Sequence, residues 1–317
     1  MAGVGQAPVR FNRLLTFRCY RTAMDNAPIE SEGAQAECAQ AKSAQSAGFR
    51  VVVPTRDSAP WIAALATAYR RLGISPLFLV DSRSTDGTLT ELRRAGADAV
   101  EVLPAEDCVE DIVWRIPAFT SSPWVLRLDD DELPSIGMLQ WIGANLAVCT
   151  AKVAFPRRWA FMTAEGTLSY AEHRQLYYFQ GQPELLDPQI RLYQPDQVTY
   201  TSNIHTPGFT MEGETHIAPP GSFICHFDWI ARSFDERHAK LRRYDLALPG
   251  CGFALLYFYL PELLHPADRC DTPFDTNEFD ALAAVFAQYR WRHNGTVHDP
   301  GTVHDPETIQ DPGTAAA

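Results

Sequence analysis

Four consecutive acids, Asp129-Asp130-Asp131-Glu132, follow the apolar run Trp124-Val-Leu-Arg-Leu128 and precede Leu133-Pro134. Hard divalent cations such as Mg²⁺ and Mn²⁺ take carboxylate oxygens and fill their remaining positions with water and substrate phosphates. On an extended backbone alternate side chains point to the same side, so Asp129 and Asp131 converge there on one ion. The competing use of these residues is a solvated turn in which one acid caps a helix starting near Pro134. A turn needs only one acid, and four in a row repel one another. The expectation is therefore a metal site at Asp129 and Asp131.

A second acid sits in a comparable place. Leu77-Phe-Leu-Val80 is a fully apolar run that leads straight into Asp81-Ser-Arg-Ser-Thr-Asp-Gly-Thr88. Asp81 at such a tip accepts hydrogen bonds from a base or a ribose. Asp86-Gly87 reads as a turn followed by a helix start. A haloacid-dehalogenase phosphatase would carry Asp-x-Asp-Gly-Thr after its strand. Here the nucleophile position is Ser84, which excludes that chemistry.

The elements that must position these acids alternate strand and helix, the pattern of a parallel α/β sheet. Phe49–Pro54 is a β-branched strand stopped by proline, and Ala59–Leu72 has apolar residues at helical spacing. Leu77–Val80 is the second strand. A helix over Asp86–Ala95 and a strand over Ala99–Leu103 follow, then a strand over Trp124–Leu128. A helix over Met138–Val148 and a strand over Ala151–Phe155 lead to Arg157 and Arg158, which suit either phosphate contact or the surface. The acidic loops thus lie at the carboxyl ends of apolar strands, where open α/β sheets bind ligands.

Further along, Phe223-Ile-Cys ends at His226, and Ser233 with Glu236 forms a capping box. The helix it opens carries Arg237, Lys240 and Tyr244 on one face, with Arg232 just before the cap. A helix N-terminus favours anions, and a solvated basic face is the plainer alternative.

Composition narrows the class. The chain has 317 residues and a net charge of −12, which argues against nucleic acid as a partner. Its seven cysteines include no Cys-x-x-Cys pair, so free thiols are expected rather than a disulfide framework. No secretory signal is evident, and a cytoplasmic location is expected. Cys251–Leu264 is too short for a membrane span of ~20 residues and is interrupted by Pro261; it reads as buried core or a peripheral membrane contact. Residues 1–47 read as a flexible leader, and 293–317, a degenerate Thr-Val-His-Asp-Pro-Gly repeat, as a disordered low-complexity tail. Between them, 48–292 is expected to form one unit, with a nucleotide-binding half over 48–135 and an acceptor-side half over 136–292.

Three motifs in order, Val-Val-Pro-Thr-Arg-Asp57, Val-Asp81-x-x-Ser-Thr-Asp-Gly-Thr88 and Leu-Asp129-x-Asp131-Glu132, resemble a family 2 glycosyltransferase of the GT-A fold. The match is best over residues 49–135. The resemblance implies a nucleotide-diphosphate-sugar donor, Mn²⁺ or Mg²⁺ as cofactor, and inverting transfer to an acceptor hydroxyl on a carbohydrate, lipid or protein. By analogy Pro54, Thr55, Arg56, Asp57, Asp81, Asp129 and Asp130 face the nucleotide. Arg83 takes over part of a contact that many members make with a second acid, where this chain has Ser82. Asp129 and Asp131 hold the metal with His226, His205 being the reserve. Arg232 and Lys240 hold the leaving diphosphate, and Asp187, or else Glu172, is the general base. Two rivals are a non-catalytic nucleotide-binding module on a degenerate scaffold and a metal-dependent nucleotidyltransferase. The latter would normally carry a glycine-rich phosphate loop, and Val-Val-Pro-Thr-Arg-Asp has none.

Overall fold

A computed structural model describes residues 48–103, 109–162, 168–173, 188–201, 207–250, 256–260 and 269–273. The expected leader and tail, Asp187, His205 and most of the apolar run after Cys251 lie outside these residues.

In chain order the strands are β1 (Phe49–Thr55), β2 (Leu77–Asp81), β3 (Asp98–Val102), β4 (Trp124–Arg127), β5 (Glu132–Pro134), β6 (Lys152–Phe155) and β7 (Arg157–Met162). They continue with β8 (Leu168–His173), β9 (Gln189–Tyr193), β10 (Thr199–Tyr200), β11 (Phe209–Thr210), β12 (Thr215–Ile217), β13 (Ile224–His226) and β14 (Arg269–Pro273). The helices are α1 (Ala59–Arg71), α2 (Thr88–Arg94), α3 (Ile116–Phe119), α4 (Ile136–Asn145), α5 (Asp228–Ala231), α6 (Phe234–Ala247) and α7 (Leu256–Tyr259).

Among the described residues the main sheet has seven strands in the order β12-β6-β9-β4-β1-β2-β3. β3, β2, β1 and β4 run parallel, as the alternation of strands and helices predicts. β9 then enters antiparallel between β4 and β6, so the sheet is mixed rather than wholly parallel. The class is α/β, a mostly parallel sheet with flanking helices.

The apolar runs without alternation are explained by burial on both faces. Val51 and Val53 pack with Trp61, Leu65, Leu92, Met138 and Ile142, from α1, α2 and α4. Val52 points the other way, to Leu79, Val125 and Tyr193, covered by Ile112, Val113, Ile116 and Phe209. A second sheet, in the order β14-β8-β7-β13-β5, shares the first of these cores through Ala160, Tyr170 and Ile224.

Local sequence sets the helix starts. α2 begins at Thr88, two residues later than Asp86, because Gly87 sits at φ +88°, a conformation glycine adopts without cost. The cap of α4 is Ser135, whose Oγ accepts from Met138 N at 3.0 Å, so no acid of the preceding loop serves as its cap. The capping box of α6 forms with both of its hydrogen bonds. In α4, a Cβ on Gly137 would stand 2.3 Å from the Gly221 carbonyl oxygen. Gly137→Ala is therefore expected to lose about 1–3 kcal/mol from overpacking against backbone, as read by chemical denaturation. A loss below about 0.5 kcal/mol would mean that the Gly221 turn yields freely.

Candidate active site

The four acids occupy the turn that carries the chain from β4 in the first sheet to β5 in the second. Glu132 N donates to the Asp129 carbonyl at 3.1 Å, closing that turn, and Phe227 N donates to the Asp131 carbonyl at 2.9 Å. β5 pairs antiparallel with β13 so that Glu132 lies opposite His226. The strand ending in His226 is thereby laid against the acidic loop.

Each carboxylate meets different protein cations. Asp129 Oδ1 accepts from Arg127 at 2.5 Å and its Oδ2 from Arg191 at 2.6 Å. Arg191 also reaches Glu132, through Nε at 2.9 Å and Nη2 at 2.7 Å, while Arg157 stands 3.9 Å from Glu132. Asp131 Oδ1 lies 3.3 Å from His226 Nε2, and its Oδ2 accepts from Arg232 at 2.7 Å with Lys240 at 3.6 Å. Behind them Asp228 Oδ1 receives both Arg232 and Lys240, the latter at 3.0 Å. Arg232 stacks over the Trp61 ring at 4.5 Å, and Lys240 sits 4.7 Å from the Tyr259 ring centroid.

These contacts set the charge states. Burial by itself would raise Asp129, but Arg127 and Arg191 outweigh it and bring the carboxyl down to about 2. Burial also works against ionised Asp131, yet His226, Lys240 and Arg232 hold it well below the usual carboxylate range. Asp130 goes the other way. Burial and the neighbouring Asp131 charge push it up to about 6, although Arg232 and the hydroxyls of Ser58 and Thr55 oppose the shift. Asp130 Oδ2 accepts from Thr55 Oγ1 at 2.8 Å and from Ser58 Oγ, and its carbonyl accepts from Trp61 Nε1 at 2.8 Å.

The two outer loops adjoin this turn because β1 lies between β2 and β4. Pro54 and Thr55 end β1, and Asp57 follows at φ +51°, a left-handed conformation that aspartate tolerates better than most residues. Thr85 N donates to Asp57 Oδ1 at 2.8 Å and Asp57 N to Ser84 Oγ at 3.1 Å, so the loop after β1 is tied to the loop after β2. Asp86 accepts from Ala59 N at 2.7 Å and from Thr88 N at 3.0 Å, the structural role read for it. Asp81 is fully buried, and both its oxygens accept from Arg83, Oδ2 from Nη2 at 2.7 Å. The Asp81 carboxylate is thus occupied by Arg83, and Arg83 is the partly exposed member of the pair.

The structure therefore brings Thr55, Asp129, Asp130, Asp131, His226, Arg232 and Lys240 into one cluster. Arg56 N joins it at 3.4 Å from Asp130 Oδ2. Glu172 lies on β8 in register with Cys270, while Asp187 is outside the described residues. Arg237 does not belong to a solvated basic face: it is buried and donates to the Tyr259 carbonyl at 2.6 Å. Sequence reasoning missed Arg127, Arg191 and Asp228. The available signal was a lone charge inside an apolar strand, Trp-Val-Leu-Arg127 and Gln-Ile-Arg191-Leu-Tyr, which must find a partner when buried.

No known family profile and no curated protein matches this sequence. Among solved structures, a crystal structure of a mycobacterial protein is 14% identical, covering 79% of this chain and 90% of its own, with a TM-score of 0.40. S. aureus TarS 1–349 is 12% identical, covering 82% of this chain and 76% of its own, with a TM-score of 0.37. A CMP:2-keto-3-deoxy-manno-octonic acid synthetase complexed with CTP is 13% identical, covering 37% of this chain and 54% of its own, with a TM-score of 0.24. At such identities and scores these likenesses assign no family. Among the described residues no helix is long and apolar enough to cross a membrane.

Proposed function

We propose that the chain is a transferase that moves a glycosyl group from a nucleotide-diphosphate-sugar donor to an acceptor hydroxyl with inversion. The observation that carries this reading is the clustering of Arg232, Lys240 and His226 on Asp131 in the turn after β4, beside the tied loops after β1 and β2. That is the carboxyl end of a parallel sheet region, where such folds take their ligands.

In this reading the base and ribose lie against Pro54–Asp57, Asp81–Arg83 and the Asp129–Asp130 backbone. The diphosphate lies against Arg232 and Lys240, whose positive charges stabilise the negative charge that develops on the departing group. Asp228 positions both cations by holding them through one carboxylate oxygen. A carboxylate deprotonates the acceptor hydroxyl, with Asp187 or Glu172 proposed for that role.

The donor set suits a divalent cation in kind, two carboxylates and an imidazole, with His226 Nε2 3.3 Å from Asp131 Oδ1. Among the described residues no group of three or more His, Cys, Asp or Glu is arranged to hold an ion, and Arg191 and Arg232 already engage Asp129 and Asp131. We propose Asp129, Asp131 and His226 as its holders; when bound, Mn²⁺ or Mg²⁺ supplies electrophilic stabilisation of the diphosphate.

The test is a thermal-shift screen of UDP, GDP, dTDP and their sugar conjugates, each with Mn²⁺ and with a chelator. A ligand that binds only the folded state raises the transition by mass action. One nucleotide class is expected to raise it, and to do so more with Mn²⁺. No shift with any nucleotide would overturn the reading.

A further inference from the structure

We propose that the end of the main sheet opposite the candidate site docks on an anionic lipid surface. The contact is made by arginines on the last turns of α1 and α2 and at the start of β1. The proposal goes beyond the donor-site reading and does not depend on it.

In a parallel strand–helix–strand unit the helix returns the chain to the starting ends of the strands, so α1 and α2 both finish there. α1 closes on Arg70 and Arg71 and α2 on Arg93 and Arg94, and all four are exposed. Arg50, at the start of β1, and Asp98, which opens β3, lie at the same end and pair at 2.5 Å. Arg70 crosses from α1 to α2: its Nη1 donates to the Ala95 carbonyl, and its Nη2 donates to Thr67 Oγ1 at 3.0 Å. Both acceptors are neutral, so they fix two helix ends side by side without cancelling the Arg70 charge. Arg94 meets Glu91, yet its side chain remains 74% exposed. A basic residue in the last turn complements the helix dipole, and one per helix does that. Here two per helix, with Arg50, gather five guanidinium groups around Glu91 and Asp98, in a chain whose net charge is −12.

The partner whose charge complements this end is a layer of phosphate headgroups. Guanidinium groups pair bidentately with phosphate oxygens, and lipids gather laterally, so one layer meets all five side chains together. Each arginine held at an anionic surface adds roughly fivefold to the affinity, and added salt removes the gain. The chain's net negative charge opposes approach by its other faces, so the arginine end alone turns towards the lipid. The acidic turn after β4 then opens away from the bilayer. β1 runs seven residues between the two ends, which sets that turn about 20 Å above the headgroups.

The experiment pellets the full chain with vesicles of equal parts phosphatidylcholine and phosphatidylglycerol, beside vesicles of phosphatidylcholine alone. Wild type is expected to bind the anionic vesicles at least ~10-fold more tightly than the neutral ones. It is expected to leave them as NaCl rises from about 50 to about 500 mM. Arg93→Gln combined with Arg94→Gln removes two exposed charges. The pair is expected to weaken binding at least ~10-fold while melting within about 2 °C of wild type. Arg93→Lys with Arg94→Lys keeps both charges and is expected to bind as wild type. Arg242→Gln with Arg243→Gln takes the same charge from the exposed face of α6 and is also expected to bind as wild type. Equal pelleting with neutral and anionic vesicles, or none with either, overturns the proposal. So does a folded Arg93→Gln, Arg94→Gln protein that binds as wild type, or a loss of binding in the α6 variant instead. Retention on immobilised poly-glutamate without pelleting on anionic vesicles overturns the lipid assignment in favour of an acidic polypeptide. The single changes Arg93→Gln and Arg94→Gln, each expected to cost about fivefold, decide the location if the pair together fails to fold.

Discussion

Replacing Arg191 with leucine is expected to destabilise the fold by about 3–5 kcal/mol, the typical loss when one partner of a buried ion pair is removed. Arg191 is nearly inaccessible and donates to Asp129 and to both oxygens of Glu132, which is itself fully buried. Leucine leaves Glu132 with Arg157 at 3.9 Å as its nearest cation and Asp129 with Arg127 alone. Glu132 also anchors the turn, because its Oε2 accepts from Asp129 N at 3.0 Å and its carbonyl accepts from the Tyr69 hydroxyl at 3.0 Å. The expected fall in melting temperature is roughly 10 °C. Adding Glu132→Gln to Arg191→Leu is expected to restore part of the loss, because the orphaned charge goes with it. A single substitution costing less than about 1 kcal/mol would show that the turn is held by other contacts.

Asp131→Asn is expected to cut turnover by about 10²–10³-fold, the range that one electrostatic group contributes. The fold is expected to survive. The amide that replaces the carboxylate retains an oxygen for Arg232, and Asp228 still carries Arg232 and Lys240 on one oxygen. The stability loss should stay within about 1–3 kcal/mol, the range for a perturbed buried hydrogen bond. Rates with the donor class found by thermal shift, set beside a melting curve, separate the two effects. Full turnover in a folded Asp131→Asn protein would remove Asp131 from the site.

The features most legible in the sequence were those that depend on near neighbours. The runs Val51-Val-Val53 within Phe49–Pro54 and Leu77–Val80 declare themselves as doubly buried strands because continuous apolar side chains have no water-facing alternate. The acids at their ends follow from the same pattern, since the run stops where polar residues reach the sheet's edge. Ser233 and Glu236 announce their capping box because it closes within four consecutive residues.

The charge partners were decided only by the tertiary structure. Arg191 lies 59 residues from Glu132 in the chain and Arg232 lies 101 from Asp131. Strand β9 brings the first by inserting antiparallel beside β4, and the short helix α5 after β13 brings the second. Local periodicity says which residues are buried or share a face. It does not say which distant strand will be laid alongside, because that is settled by packing whole elements against one another. A lone arginine in an apolar strand therefore declares that it needs a carboxylate, and only the folded sheet decides which one it finds.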